Sequence, residues 1–240
     1  MGKGLIIGGA VVVLVVVVVI VVGVVVVTRA TAPRPSPEDF VAEYLAAISD
    51  GDAEAARAID DSTVAGVDGD LVDTATFRSD EVLAAATERI SDVTIDDSEV
   101  YGNSSARVTT SYELQGERNQ LFVNLVWDED SEGWALKDGV FHGVEVAGGT
   151  SSVSDTLPFS LGGVPSSDPA VVSSGRITYL AYPGVYDFAL GLAPDVLVDP
   201  QGVPSELLVT PGPDADADTV FVQLSREPAD SDLINNRENG

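Results

Sequence analysis

Ala106 to Leu114 reads ARVTTSYEL, and Leu121 to Trp127 reads LFVNLVW. In the first stretch Val108, Thr110, Tyr112 and Leu114 alternate with Arg107, Thr109, Ser111 and Glu113. In the second, Leu121, Val123, Leu125 and Trp127 alternate with Phe122, Asn124 and Val126. A period of two puts one set on each face of a strand, so both stretches predict half-buried strands of an antiparallel sheet. Val93 and Ile95 begin the pattern upstream. Trp134, Leu136 and Val140 carry it on after the turn Asp130-Ser131-Glu132-Gly133.

Upstream of these strands the apolar spacing becomes helical. Ser36 suits an N-cap, Pro37 the first helical position, and Asp39 a returning cap bond. Phe40, Val41, Tyr44, Leu45 and Ile48 then share one face, and Asp50-Gly51 stops the helix. A second helix is expected from Asp52, carrying Ala53, Ala55, Ala56 and Ile59. The Asp- and Gly-rich run from Asp60 to Asp70 reads as a loop. Ser79 caps a third expected helix, Asp80 to about Arg89, which buries Val82, Leu83 and Ala86. Helices first and strands after predict an α+β domain over residues 36–148.

Downstream, strand-like runs span Thr156–Leu161, Arg176–Tyr182, Val185–Leu190, Glu206–Thr210 and Thr219–Leu224. Pro183-Gly184 between the second and third fits the centre of a type II turn and predicts a hairpin. Short strands with Gly/Pro turns predict a small all-β, sandwich-like module over 152–227, after the short Gly/Ser segment Gly148–Ser152. Residues 228–240 read as a polar, disordered tail.

At the other end, Leu5 to Val27 is an uninterrupted apolar run in which 14 of the 17 residues from Val11 to Val27 are valine. As a helix it would reach about 35 Å, enough for a hydrocarbon core of about 30 Å. Valine favours strands in water, but a lone span in lipid must satisfy its backbone internally and so be helical. The run is too long for a secretory apolar region, and Pro33 follows the small-residue site Ala30-Thr31-Ala32, so an uncleaved anchor is expected. Residues 1–4 are then a short tail. Residues 28–37, with Pro33, Pro35 and Pro37, form an extended Pro/Thr linker. Lys3 against Arg29 and Arg34 leaves the charge rule nearly tied. The bulk of the chain after the span favours tail inside and domains outside.

All 39 acidic residues lie beyond Pro37. Three of the 12 basic residues (Lys3, Arg29, Arg34) precede it, leaving nine and a charge of −30 on the remainder. That field repels nucleic acid and anionic lipid. The carboxylates are scattered rather than clustered, which favours a solubility role. With no cysteine and one histidine, His142, neither a Cys–His dyad nor a His/Cys zinc cluster can form. No Gly-x-Ser-x-Gly elbow supports a triad on His142, and no phosphate-cradling loop is present. Asp214, Asp216 and Asp218 alternate like the opening of a calcium loop. Thr219 stands where that loop needs glycine and Ser225 where it needs glutamate, so no metal site is assigned.

The segments SPEDFVAEYLAAISDGDAEAARAI (Ser36–Ile59) and EGWALKDG (Glu132–Gly139) carry a resemblance to the superfamily of nuclear transport factor 2, ketosteroid isomerase and SnoaL-type cyclases. The start of the second helix, Gly51–Ala56, and the stretch Gly133–Gly139 are its closest points. The chain is most similar to the versions on membrane- or lipid-anchored envelope proteins of actinobacteria, over a little under half its length. The resemblance implies a cone-shaped domain whose curved sheet wraps a helix around a pocket. Some members of the superfamily are enzymes, and many bind or scaffold. An enzyme of this kind would bury a carboxylate or tyrosine in the pocket. Tyr44, Tyr112 and Glu113 are conceivable, but Tyr112 fits the buried alternation and Glu113 the opposite face. No catalytic, cofactor-binding or metal residue is assigned, and no cofactor.

The expectation is thus an α+β protein in the order transmembrane helix (5–27), cone-like domain, small all-β sandwich-like module. It is a single-pass membrane protein with extracytoplasmic domains. It would bind an envelope protein, peptide or wall component, and not nucleic acid. The alternative is a small-ligand binder or enzyme of isomerase, cyclase or hydrolase type using the cone pocket.

Overall fold

The computed structural model describes residues 34–64, 72–149, 155–166, 177–192, 196–198, 203–211 and 218–226. From Ser36 onward the described elements belong to one compact unit.

Helix α1 (Pro37–Asp50) starts as its sequence dictates. The Ser36 hydroxyl oxygen accepts from the Asp39 amide at 3.1 Å, and Pro37 occupies the first turn. The acid that answers the cap is Glu38 rather than Asp39: its carboxylate accepts from the Ser36 hydroxyl at 2.6 Å. Gly51 ends the helix at φ +85°, a left-handed conformation that favours glycine, and the Asp52 amide donates back to the Ala47 carbonyl at 2.9 Å. Helix α2 (Ala53–Val64) has its first turn held by two carboxylates. Asp52 accepts from the Ala55 amide and Asp80 from the Glu54 amide, both at 2.9 Å.

This second helix takes in the first five residues of the Asp60–Asp70 run read as a loop, ending at Val64. Ala53, Ala56, Asp60 and Val64 lie three and four residues apart, on one buried face. Helix α3 (Asp80–Ala84) is shorter than expected. Thr87 donates its amide (2.8 Å) and its hydroxyl (3.1 Å) to the Val185 carbonyl, drawing Glu88–Arg89 into a strand instead.

Three sheets form among the described residues. The first is the antiparallel sheet read from the alternation: β3 (Ser91–Tyr101), β4 (Ser105–Leu114), β5 (Glu117–Asp128) and β6 (Gly133–Leu136), in that order. The second is mixed, in the order β1 (Val72–Asp73), β11 (Thr178–Ala181), β7 (His142–Gly149), β15 (Asp218–Arg226), β13 (Val196–Val198), with β8 (Asp155–Thr156) also on β7. The third runs β10 (Val164–Pro165), β9 (Phe159–Leu161), β12 (Gly184–Leu190), β14 (Glu206–Val209), with β2 (Glu88–Arg89) also on β12.

The expected fold class is corrected here. Among the described residues strand outweighs helix by more than two to one, so the protein is mostly β rather than an α+β cone followed by a separate sandwich. Strand β7, expected to close the first domain, pairs with β11 and runs parallel to β15, both from the downstream region. The physical reason lies in β11 and its flanks, ITYLAY (Ile177–Tyr182). Leu180 and Tyr182 join the core of α1, α2 and the four-stranded sheet. Ile177, Tyr179 and Ala181 join a second core with Phe77, Val144, Phe159 and Phe188. A strand with two apolar faces must be covered on both sides, so it is a shared wall. No helix of the described residues is long and apolar enough to cross a membrane. Residues 5–27, on which the anchor reading falls, lie outside the described residues.

The expected Pro183-Gly184 hairpin is also absent, because β11 and β12 belong to different sheets. Gly184 lacks the positive φ of a type II turn. It sits in β12, paired with Arg89 on one side and Val209 on the other. A Cβ there would stand 3.0 Å from the Glu88 carbonyl oxygen, so glycine serves close strand approach.

Candidate functional site

The four-residue face of α2 delivers the one buried acid among the described residues, Asp60. Its partner Arg78 comes from a tightly wound loop before α3. Asp73 accepts from the Ala75 and Thr76 amides at 3.0 and 2.8 Å and from the Thr76 hydroxyl at 2.7 Å. Arg78 follows, its own amide bonded to the Ala75 carbonyl at 3.2 Å. This winding turns the guanidinium inward, where Nη1 donates to the Thr74 carbonyl at 3.0 Å. Nη2 pairs with Asp60 Oδ1 and reaches Asp61 Oδ1 at 2.9 Å.

Two tyrosines complete the arrangement. The Tyr44 hydroxyl, on α1, donates to Asp60 Oδ2 at 2.7 Å and accepts from the Val140 amide at 3.3 Å. The Tyr182 hydroxyl, just past β11, lies 3.2 and 3.3 Å from the two Asp60 oxygens. The Arg78 guanidinium lies 5.2 Å from the Phe141 ring centre and 5.5 Å from that of Tyr182. Tyr186 donates to the Tyr182 carbonyl at 2.8 Å, fixing that residue from behind.

The electrostatics follow from burial. Burial pushes the Asp60 carboxyl up, against the opposing pull of Arg78 and the two tyrosine hydroxyls. Burial, then the charge of Asp60, raises Tyr44 well above its ordinary value, and Tyr182 rises for the same two reasons. Burial alone would lower Arg78, but the charges of Asp60 and Tyr182 outweigh it and the net shift is upward. Both tyrosines therefore remain neutral donors and Arg78 remains a cation. All three donors to Asp60 are protein groups. The arrangement joins α1, α2, the loop before α3 and the end of β11, with Arg78 Nε buried and without a partner among the described residues.

The residues weighed from the sequence fall as follows. Tyr44 is in this network. Tyr112 is buried on the inner face of β4. Glu113 pairs with Arg118 at 3.8 Å, both side chains partly exposed. His142 opens β7, where its backbone pairs with Ala181. Asp214 and Asp216 lie outside the described residues, and Asp218 opens β15 beside Val144. Sequence reading assigned no role to Asp60, Arg78 or Tyr182. A signal for Asp60 was present in its spacing from Ala53 and Ala56. Nothing local to Arg78 marked its partner.

The surface carries a second feature. Of the exposed large hydrophobic residues, Val100 and Tyr101 lie on β3 and Phe122 and Val126 on β5. Tyr101 and Val126 each pair with Ser105 from either side, in one cross-strand row, and Phe122 shares their outer face. Comparisons with protein-family models, curated proteins and solved structures find no match to this chain.

Proposed function

We propose that this is a single-pass, membrane-anchored protein whose extracytoplasmic region acts by binding an envelope protein, peptide or wall component. The observation that carries the binding reading is the gathering of exposed apolar residues on one sheet, while the buried charges are committed to one another. Apolar residues left exposed together suit a contact surface. Catalysis would require an ionisable group aimed at a substrate, and Asp60 is aimed at Arg78, Tyr44 and Tyr182. The apolar run Leu5–Val27 supports the anchor, and the bulk of the acidic chain that follows it supports an extracytoplasmic orientation.

The test places a photo-reactive amino acid at Tyr101, Phe122 or, as control, Glu54 in the full-length chain in intact cells. Saturable adducts with an envelope component from Tyr101 and Phe122, absent from Glu54, are expected. Equal labelling from Glu54 would sink the binding reading. Recovery of the chain in the soluble fraction after cell breakage would sink the anchor.

A further inference from the structure

β3 is the longer of the two edge strands of its sheet, 11 residues against four in β6. Its single ladder, among the described residues, runs to β4. A free edge presents unpaired amides and carbonyls and is a template for another strand. In its first half this edge is guarded. The register shifts between Ser91 and Thr94 and between Ile95 and Asp97, and Asp92 has φ +47°. Such irregularities obstruct a straight incoming strand.

The second half has no register shift, and its Ser98 amide donates to Asp97 Oδ1 at 2.9 Å. From Asp97 to Tyr101 the register against Thr109–Ser105 is continuous. Val100 is 52% exposed and Tyr101 48%, on opposite faces of the strand, so both side chains at this end of the strand are open to solvent. Asp97 and Glu99 flank it on the face of Tyr101. The Tyr101 hydroxyl donates to the Glu99 carboxylate, which holds both side chains on that face.

We propose that Asp97–Tyr101 accepts an extended, basic segment of a partner protein as an added strand. This names the partner chemistry for the binding reading above and rests on it. Main-chain bonds along the edge would supply affinity, as in other strand additions. Alternate partner side chains would meet Val100 on one face and Asp97, Glu99 and Tyr101 on the other. Charge selects the occupant. A second copy of this chain would set Asp97 and Glu99 against identical carboxylates, and would bring together two regions of −30 charge. A lysine- or arginine-bearing strand meets the opposite sign.

The experiment uses the full-length chain in detergent micelles and three fluorescent probe peptides. One is Lys-Val-Lys-Tyr-Lys-Val-Lys. The second is the same peptide with alternate backbone amides N-methylated. The third has the same pattern with glutamate in place of lysine. Saturable binding is expected for the first alone, with binding about tenfold weaker or worse for the other two. The double variant Asp97→Lys, Glu99→Lys should weaken the first peptide similarly, and Glu54→Lys should not. Equal binding of the N-methylated peptide would overturn strand addition, as would indifference to the Asp97 and Glu99 changes. Self-association through β3, abolished by the same double variant, would overturn it in favour of a second copy. In each of these cases the adducts from Tyr101 and Phe122 in cells would still stand, so the two readings fail separately.

Discussion

Asp60 and Arg78, 18 residues apart in the chain, form an ion pair in which the carboxylate is 0% and the guanidinium 1% exposed. Removing one partner strands a charge in the interior. Arg78→Met or Asp60→Leu alone should lower unfolding stability by about 3–5 kcal/mol. The double variant Asp60→Leu, Arg78→Met should lose much less than the sum, because an apolar pair leaves no uncompensated charge. Denaturant unfolding of all three variants measures this, and strict additivity would show that the two residues do not act as a pair.

The tyrosines should rank by what each bond serves. Tyr44→Phe removes a donor to the buried Asp60 carboxylate and leaves the Val140 amide without that acceptor. A loss of about 2–3 kcal/mol is expected, since the bond reaches a charged group. Tyr186→Phe removes one bond to a neutral carbonyl and should cost about 1 kcal/mol. The reverse order, measured by the same unfolding assay, would contradict the network as described.

Stability should rise as pH falls through the raised folded-state pKa of Asp60 toward the ordinary carboxyl range. The folded-state pKa of Asp60 is raised by burial, so its favourable contribution is fully present below the unfolded value and is lost as pH climbs through the folded one. The −30 charge beyond residue 37 acts in the same direction, since protonating carboxylates relieves repulsion. Salt separates the two, because about 1 M salt screens the surface field but not a buried group. The Asp60 part of the slope should survive in high salt and vanish in the Asp60→Leu, Arg78→Met pair variant. A high-salt slope that the pair variant leaves unchanged would assign it to other carboxylates.

Gly184→Ala tests the close approach of β2 and β12. Its new Cβ would lie 3.0 Å from the Glu88 carbonyl oxygen and 3.2 Å from the Tyr186 ring. The backbone oxygen cannot rotate away, so a loss of about 1–3 kcal/mol is expected. Val100→Ser and Tyr101→Ser, at exposed positions, should stay within about 0.5 kcal/mol of the parent chain. A Gly184→Ala chain as stable as the parent would show that β2 and β12 can separate at no cost.

What the sequence determined by itself was local. The alternation in Ala106–Leu114 and Leu121–Trp127 appears as β4 and β5, with Val108, Thr110, Tyr112 and Leu114 buried. Ser36, Pro37 and Gly51 bound α1 because caps and stops depend on residues a few positions apart. What tertiary structure decided was partnership. Ile177–Tyr182 is apolar on both faces, which marks a buried strand without saying which strands cover it. The β7–β11 pairing is a long-range fact, as is the placing of β11 and β12 in different sheets across Pro183. Asp60 read as loop because acids and glycine follow it, yet its distance from Ala53 and Ala56 keeps it on the buried helical face. Its burial is compensated only because Arg78, Tyr44 and Tyr182 arrive from three other segments. Periodicity reports which side of an element is apolar, and a buried charge is compensated by groups that no local period can reveal.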